Sequence, residues 1–420
     1  MRIGINGRFL VAKRTGVQRA AYNIVKTLVE VDRDNEYVIF TGKEQVGAPE
    51  WNYPNVTVVG DNLRPSESIR NHFWEQVRLP RLAKQYKIDI LHSPANVAPI
   101  FYSGKSVIHI HDLCFVVNPQ WYSFTFRTVY NIIIPILAKR ATKVITDSNN
   151  SRNDLLQYFN LPAERVSLVY LAVDDTFSLP RPISSEKSSV REDDYILYAG
   201  SLEPRKNINI LIEAYEKLRH QYPAIKTKLI LIGGESPLFA SVQLNAREFR
   251  DDVVFKGFVS DAELSDFYRR AKLVAYPSLY EGFGLPPLEA MASGSPVVTS
   301  STSSIPEVVG NAAILINPRD QEQLTRALHR VLTDSSLRKS MIKAGAEQVL
   351  RFNWYRVARG VLSVYYEVHQ RRVDQPLTVQ SFIPVSVWSA LRKMESLKTA
   401  LMDEKKIRSL MASSKSQGGS

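Results

Sequence analysis

The chain has 420 residues, of which 44% are hydrophobic and 10% aromatic, enough for two or three domains with sizeable cores. Its formal net charge of +12 favours anionic partners such as nucleotides, phosphorylated substrates, acidic membrane surfaces or nucleic acid, although ordinary solubility charge explains it equally well. The single cysteine, Cys114, excludes an intrachain disulfide and a thiolate metal cluster, and we expect it to be a small buried apolar group.

The first residues, MRIGINGRFL, contain no cationic region followed by a long apolar run, so no signal peptide is predicted. The longest apolar stretch, Ile132 to Ala138, is too short to span a bilayer and contains Pro135. We therefore expect a cytoplasmic protein and leave open a peripheral position at the inner face of the membrane.

In the first half of the chain, short apolar runs rich in β-formers alternate with helical patterns. Apolar strands separated by helices predict a parallel sheet with helices on both faces. The predicted strands are residues 2–5, 37–40, 56–59, 88–91, 106–110, 143–146 and 166–170, and the predicted helices are 18–31, 67–86, 126–140 and 150–159.

The alternation pauses at residues 174–194, a polar segment with prolines and serines that predicts a linker. A second βα series follows it. Its predicted strands are 195–200, 228–233, 252–257, 272–277, 296–300 and 312–316, and its predicted helices are 207–220, 238–249, 261–271, 286–293, 320–333, 335–350 and 354–371.

Two such series predict an α/β protein with two doubly wound, Rossmann-like parallel-sheet domains that face each other across a cleft. The expected divisions are an N-terminal Rossmann-like domain at 1–178, a C-terminal Rossmann-like domain at 179–355, a C-terminal helix at 356–372, and an amphipathic or disordered tail at 373–420. Ligands bind beyond the carboxyl ends of parallel strands, so the cleft is the predicted site. The basic amphipathic pattern at 385–402 suits a membrane or a partner, and equally a helix packed on its own domain.

Two glutamates stand out in the segment LYEGFGLPPLEAMASGSPVVTS, which follows a predicted strand. Glu281 lies in a Gly/Pro loop, and Glu289 lies on the first turn or so of a helix that starts near Pro286. A carboxylate accepts paired hydrogen bonds from the vicinal hydroxyls of a sugar or a ribose, so both are candidate binding residues. The simpler alternatives are a solvated loop charge for Glu281 and helix-dipole compensation for Glu289.

Two cations follow the strand at 195–200. Arg205 and Lys206 stand just before a predicted helix, at the same edge of the same sheet as Glu281. Two cations and a helix N-terminus suit a diphosphate, although a solvent-facing basic loop explains them equally well.

In the first domain, Gly16 lies in the loop after the first strand and can open an anion-binding turn. His111 follows the strand at 106–110 and can touch substrate or donate a proton, although a histidine beside an aspartate is more often structural. The sequence has no GxGxxG after a strand, no P-loop, no HExxH and no metal-spaced histidine cluster, so neither a dinucleotide cofactor nor a metal is expected. No nucleic-acid-binding motif is present, and no nucleic-acid partner is expected.

The segments YEGFGLPPLEAMASGSPVVTS, YAGSLEPRKNINILIEAY and HDLCFVVNPQWYS together resemble a glycosyltransferase family 4 enzyme of the GT-B fold. The resemblance covers about residues 1–370, and the combination of segments is specific. It implies that the domain at 1–178 is the acceptor side, that the domain at 179–355 binds the nucleotide sugar, and that the helix at 356–372 crosses back to the first domain. It implies that the two glutamates form an E-x7-E motif, in which Glu281 holds the donor-sugar hydroxyls and Glu289 holds the nucleotide ribose.

The resemblance assigns further residues to the donor site. It places Lys206 on the diphosphate, and Arg205 substitutes for a family arginine whose usual position is occupied here by Ser201. It places His111 near the transferred sugar and Gly16 near the diphosphate. The backbone amides expected at the sugar and diphosphate are those of Phe283, Gly284 and Leu285, and the backbone expected to read the base is that of Gly257, Phe258 and Val259.

The implied reaction transfers a hexose from a nucleoside diphosphate sugar to a hydroxyl, with retention at the anomeric carbon, no required metal and no cofactor besides the donor substrate. The LEPRKN-type sequence resembles bacterial polysaccharide mannosyltransferases. GDP-mannose is therefore the first expected donor, and a saccharide or lipid-linked saccharide in bacterial surface polysaccharide synthesis is the expected acceptor. UDP-glucose and dTDP-rhamnose stay open as donors, because backbone atoms rather than side chains are expected to read the base.

Three other functions remain open at this point. A nucleotide-sugar epimerase of the same fold would need no acceptor. A GT-B phosphorylase would need pyridoxal phosphate and a much longer chain. A non-enzymatic basic scaffold or nucleic-acid binder would reuse the fold and would show steep salt-dependent binding.

Overall fold

The computed structural model describes residues 1–12, 15–65, 68–178, 195–234, 239 and 250–371. The tail at 373–420, most of the predicted linker and nearly all of the helix predicted at 238–249 lie outside these residues. Met1–Arg372 forms one compact unit, so the domain boundaries at 178 and 355 stay predictions.

The first sheet has seven parallel strands in the order β3-β2-β1-β4-β5-β6-β7. All seven predicted strands are present, and their ends lie within two residues of the prediction, because apolar runs that are buried on both faces are a strong local signal. The strands are β1 (Arg2–Asn6), β2 (Glu36–Gly42), β3 (Val56–Asp61), β4 (Ile90–Ser93), β5 (Lys105–His109), β6 (Lys143–Thr146) and β7 (Val166–Leu168).

The second sheet has six parallel strands in the order β10-β9-β8-β11-β12-β13. All six predicted strands are present here as well. They are β8 (Tyr195–Ala199), β9 (Lys228–Ile232), β10 (Val253–Gly257), β11 (Leu273–Tyr276), β12 (Val297–Ser300) and β13 (Ile314–Ile316). The prediction of two doubly wound parallel sheets is confirmed.

Helices cover both sheets. Those of the first half are α1 (Gly16–Val31), α2 (Ser68–Phe73), α3 (Leu79–Gln85), α4 (Cys114–Val117), α5 (Phe124–Arg140) and α6 (Asn149–Phe159). Those of the second half are α7 (Ile208–Gln221), α8 (Asp261–Arg270), α9 (Leu285–Ala292), α10 (Ile305–Val309), α11 (Gln321–Thr333), α12 (Ser335–Val349) and α13 (Trp354–Gln370). Among the described helices, none is long and apolar enough to cross a membrane.

The helix predicted at 67–86 is divided into α2, a π-helical segment at Trp74–Arg78, and α3. Pro80 lies in the first turn of α3, where its missing N–H is tolerated, and this favours a new helix start. The periodic apolar pattern does not reveal the π-segment, which carries the fully buried Glu75. Cys114 is buried at the start of α4, as predicted.

The last helix, α13, returns to the first sheet and packs beside α1. Lys143 Nζ at the start of β6 lies 2.6 Å from Glu367 Oε2 on α13. At the other end of the helix, Trp354 Nε1 donates a 3.0 Å hydrogen bond to Val173 O. The helix therefore ties the end of the second βα series to the first sheet through both apolar packing and ion pairing.

Candidate functional site

The two loops predicted to carry the site follow neighbouring strands of the second sheet. β8 ends at Ala199 and pairs with β11, which ends at Tyr276. Parallel neighbours end at the same edge of a sheet, so the loop after β8 and the loop after β11 come together there. The first loop contains a 3-10 turn at Pro204–Lys206, and the second contains Glu281.

Glu281 binds both predicted cations. Lys206 Nζ lies 2.8 Å from its Oε1, and Arg205 Nη1 lies 2.8 Å from its Oε2. Glu281 is only 5% exposed and Lys206 only 6%, so these are buried charge pairs rather than surface contacts. Burial alone would raise the pKa of Glu281, but the charges of Lys206 and Arg205 outweigh it and lower the pKa to about 2.

Three residues that the sequence analysis did not single out orient Glu281. Tyr276 OH and Ser278 Oγ donate to Glu281 Oε1 at 3.0 and 2.6 Å, and Tyr276 OH also accepts from Lys206 Nζ. The backbone N–H of Glu281 donates to Ser303 Oγ at 2.9 Å. Tyr276 and Ser278 lie within five residues of Glu281, and polar residues at a strand end were a signal in the sequence that could have identified them. Ser303 follows the next strand, so that local signal does not include it.

Arg205 is held between two carboxylates. Its Nε donates to Glu203 Oε2 at 2.6 Å, and its Nη1 donates to Glu281. Ser201, at the position where the family pattern has an arginine, also hydrogen-bonds Glu203. Glu203 is 3% exposed and was not singled out from the sequence. Two cations therefore face two carboxylates, and each cation has an anionic partner within the chain.

Glu289 lies in the second turn of α9, as its fifth residue, rather than in the first turn. Helix-dipole compensation therefore explains it poorly, because that effect is confined to the first turn. Its Oε2 accepts a 3.2 Å hydrogen bond from Tyr268 OH, and Arg19 Nη1 lies 3.7 Å from its Oε1. Burial raises the pKa of Glu289 to about 7, and Arg19 and Tyr268 offset this only in part. Arg19 belongs to the first half of the chain and was not singled out from the sequence.

The loop between the two glutamates has the backbone that the sequence suggested. Gly284 has φ +116°, a conformation that residues with a side chain rarely adopt, and it precedes the first residue of α9. Pro286 and Pro287 carry no N–H, so the amide donors at this helix start belong to Gly284 and Leu285. Phe283 is buried, and its carbonyl accepts from Ser304 Oγ at 2.7 Å.

The segment expected to read the base begins at the last residue of β10, the edge strand of the second sheet. Gly257 has φ +68°, Phe258 is 71% exposed and Val259 is partly buried against the core. The Phe258 ring covers Gly234, where a Cβ would come within 2.4 Å of it. The structure thus places an exposed aromatic ring and a left-handed backbone turn at this edge, and base recognition there stays a prediction.

His111 hydrogen-bonds within the first domain through both ring nitrogens. Nδ1 lies 2.6 Å from Asp147 Oδ2, and Nε2 lies 3.1 Å from Pro94 O. A Pro94 carbonyl and an ionised Asp147 carboxylate both accept, so this arrangement favours the doubly protonated imidazole. Burial alone would lower the pKa of His111, but the Asp147 carboxylate outweighs it and raises the pKa. The neighbouring Asp112 instead accepts from the Cys114 backbone N–H at 3.0 Å.

Replacing Asp147 by asparagine should therefore lower the pKa of His111 and favour its neutral form at pH 7. Without the carboxylate, the largest influence that raises the His111 pKa is lost, and burial, which lowers the pKa, is opposed only by the Pro94 carbonyl and Asp112. In the wild type the raised pKa adds stability that is complete below pH 6.5 and is lost as pH rises through the folded-state value. Nitrogen-15 NMR of the imidazoles should show a larger doubly protonated fraction of His111 at pH 7 in the wild type than in the variant. Asp112→Asn is the matched control, and an equal effect of that substitution would contradict the role of Asp147.

The glutamate loop also touches the first domain. Gly282 lies so close to the first domain that a Cβ added to it would come within 2.9 Å of His111 O. Ser151 Oγ donates a hydrogen bond to Gly282 O at 3.2 Å. Tyr280 OH donates to Asp154 Oδ2 on α6 at 2.6 Å. The site is therefore closed, with the Glu281 loop packed directly on the carboxyl edge of the first sheet.

A second contact across the cleft involves Glu307 on α10. Its Oε2 accepts from the backbone N–H of Asn149 at 3.0 Å, and its Oε1 accepts from that of Asn150 at 3.2 Å. Tyr170 OH also donates to Oε2 at 2.9 Å. A carboxylate on the first amides of α6 is a favourable helix-dipole interaction, so this contact stabilises the closed arrangement.

Gly16 is the first residue of α1, directly after the N-cap residue Thr15. No described atom lies within 4 Å of the position that its Cβ would take, so packing does not require glycine there. Its place near the diphosphate stays a prediction. Across the described ranges, no three His, Cys, Asp or Glu side chains are grouped so that they could hold a metal ion.

Comparisons with known proteins agree on one family. A family model described as Glycosyltransferase Family 4 matches residues 14–177, and one described as Glycosyl transferases group 1 matches residues 181–348. The O-antigen chain mannosyltransferase B of Escherichia coli is 30% identical over 373 residues, which cover 84% of this chain and 96% of that protein.

Two solved structures are similar in fold. Sucrose-phosphate synthase from Thermosynechococcus elongatus has a TM-score of 0.66 at 20% identity, over 87% of this chain and 98% of that one. WaaG, a glycosyltransferase involved in lipopolysaccharide biosynthesis, has a TM-score of 0.61 at 19% identity, over 87% of this chain and 99% of that one. At these identities the similarity concerns the fold alone.

Proposed function

Because the chain belongs to the family 4 glycosyltransferases of the GT-B fold, we propose that it transfers mannose from GDP-mannose to a saccharide or lipid-linked saccharide in bacterial surface polysaccharide synthesis. Transfer of mannose is supported by the name of the 30% identical relative, an O-antigen chain mannosyltransferase. That name also favours sugar transfer over the epimerase and scaffold interpretations of the sequence.

One observation carries the proposal for the site: Lys206 and Arg205 meet on Glu281 at the carboxyl edge of the second sheet. A diphosphate leaving group develops negative charge as the glycosidic bond breaks, and two cations already fixed in a buried site stabilise that charge without reorganisation. Glu281 keeps the cations in place before the donor arrives.

The charge state of Glu281 restricts its role. With a pKa of about 2 it is ionised at neutral pH, so it accepts hydrogen bonds and cannot act as a general acid. Its two oxygens already receive bonds from Lys206, Arg205, Tyr276 and Ser278, which makes it a weak nucleophile. Both properties favour a carboxylate that positions the hydroxyls of the donor sugar.

The proposed step then proceeds on one face of the sugar. The glycosidic C–O bond to the diphosphate breaks through an oxocarbenium-like state, and the acceptor oxygen attacks from the same side. Because attack and departure occur on the same face, the anomeric configuration is retained, and the leaving phosphate takes the acceptor proton. Glu289 holds the ribose, and the amides of Gly284 and Leu285 bind the sugar and diphosphate. No metal takes part.

The test is the thermal stability of the purified protein against GDP-, UDP-, dTDP- and ADP-sugars, with and without EDTA. A ligand that binds only the folded state, at about 100 times its Kd, adds roughly 2.7 kcal/mol, which shifts Tm visibly. We expect a shift with GDP-mannose that EDTA leaves unchanged. A shift with another nucleotide alone would correct the donor, and no shift with any would contradict nucleotide-sugar binding. NMR of the product's anomeric proton then checks retention.

A further inference from the structure

Arg19 on α1 reaches across the cleft to the second domain. Its Nη1 lies 3.7 Å from Glu289 Oε1, and its Nη2 forms an ion pair with Asp261 at the start of α8. Its guanidinium carbon lies 5.9 Å from the centre of the Phe177 ring. The side chain is 27% exposed, so it is partly open to whatever enters the cleft. One arginine of the first domain thus contacts the carboxylate that is proposed to hold the ribose.

Glu289 is a buried carboxylate with little hydrogen bonding from the chain. Tyr268 OH reaches its Oε2 at 3.2 Å, while the Arg19 guanidinium, at 3.7 Å from Oε1, lies beyond ordinary hydrogen-bond distance. A buried carboxylate is costly unless it is paired and hydrogen-bonded. Oε1 therefore suits a hydroxyl donor supplied by a ligand, with the guanidinium beside it.

We propose that Arg19 is a positioning residue for the nucleotide: its guanidinium beside Glu289 Oε1 favours the carboxylate form that accepts the ribose hydroxyls, and it brings a cation of the first domain to the bound donor. The inference rests on the proposed role of Glu289. Arg19 lies one turn into α1, whose N-terminus is also the expected diphosphate contact at Gly16. Because Arg19 belongs to the first domain and Glu289 to the second, full nucleotide affinity then requires the cleft between them to be closed.

The charges around Glu289 make the proposal measurable. The groups that face it are Arg19 on α1, Tyr268 and Asp261 on α8, and Asp174 in the loop after β7. Of these four, Arg19 alone is a cation. Burial raises the pKa of Glu289 to about 7, while Arg19 and the Tyr268 hydrogen bond lower it, so loss of Arg19 raises it further. Nucleotide affinity should then fall as pH drops through the pKa of Glu289.

The experiment measures Kd by calorimetry from pH 6 to pH 9 for whichever of GDP, UDP, dTDP and ADP binds most tightly. For the wild type we expect affinity to weaken below an inflection near pH 7. Arg19→Gln should move that inflection up by about one pH unit, since an opposite charge at this distance shifts a pKa by roughly 1–3 units. Its affinity at pH 7 should fall about 5-fold in consequence, because a one-unit rise from a pKa of about 7 lowers the ionised fraction at pH 7 from about one half to about one eleventh.

Three further variants separate the explanations. Arg19→Lys keeps the charge and should keep the inflection near that of the wild type. Lys26→Gln removes an exposed cation from the same helix, 3.9 Å from Glu30, and should change nothing. Glu289→Gln should weaken binding and flatten the pH dependence. Circular dichroism shows which variants fold.

The outcomes distinguish this inference from the proposed function. Suppose that the inflection in nucleotide affinity of Arg19→Gln stays at the wild-type pH, while Glu289→Gln binds weakly at every pH. That result overturns the role of Arg19 and leaves the proposed function intact. Full nucleotide affinity in Glu289→Gln overturns the ribose role of Glu289 and the inference with it. Failure of all four nucleotides to bind contradicts both.

Discussion

Replacing Lys206 by alanine is expected to lower kcat by about 100-fold or more, the magnitude for loss of one preorganised transition-state charge stabiliser. Lys206 is 6% exposed and its Nζ lies 2.8 Å from Glu281, so neither water nor salt can readily replace its charge. Arg205 on the other oxygen of Glu281 should retain part of the stabilisation. The measurement is kcat with saturating donor and acceptor.

Lys206→Ala also removes one of the two cations that pair with the buried Glu281 carboxylate, so the variant should be less stable. Breaking a buried ion pair costs up to about 3–5 kcal/mol in free energy of unfolding. The double variant Lys206→Met with Glu281→Gln removes both charges and should recover much of that stability without recovering activity. Lys217→Ala is a suitable control, because that lysine pairs with Glu322 on the surface of the second domain. Wild-type turnover by Lys206→Ala would contradict the proposed role.

Replacing Glu281 by alanine is expected to lower kcat/KM by about 10- to 100-fold, because a hydrogen bond to a charged group is worth about 1.5–3 kcal/mol. The expected loss is smaller than that for Lys206, because the proposed role of Glu281 is positioning and not charge stabilisation of the leaving group. The two cations would also lose the carboxylate that fixes them. Steady-state kinetics with varied donor checks this, and a Glu281→Ala enzyme with unchanged kcat/KM would exclude the carboxylate from the donor site.

Glu281→Gln gives a second readout through acid stability. The folded-state pKa of Glu281, about 2, lies below its ordinary 4.5. Its contribution to stability is therefore complete above pH 4.5 and is lost as pH falls toward 2. Glutamine cannot titrate, so this part of the acid destabilisation should disappear in chemical denaturation between pH 5 and about pH 2. An unchanged acid profile would mean that Glu281 is not ion-paired in the folded protein.

Strand and helix positions followed from the sequence because they depend on local periodicity. The run KVIT at 143–146 is a strand with those same ends, and the helix predicted at 354–371 ends one residue early. The placement of Arg205, Lys206 and Glu281 at one sheet edge followed as well, since each comes directly after a predicted parallel strand. The resemblance in the same segments supplied the family, which the comparisons confirm.

The sequence by itself thus determined the two sheets, the edge that carries the site and the residue types gathered there. Only the tertiary structure decided the partners: Arg19 for Glu289, Asp147 for His111 and Glu307 for the start of α6. The first pair joins residues 270 positions apart (289 − 19), and no pattern within one segment encodes such a contact. Burial and pairing of charges set the pKa values of Glu281 and Glu289 on opposite sides of the ordinary value. For Glu281 they arise when two loops of the second sheet meet, and for Glu289 they also need Arg19 from the first half of the chain.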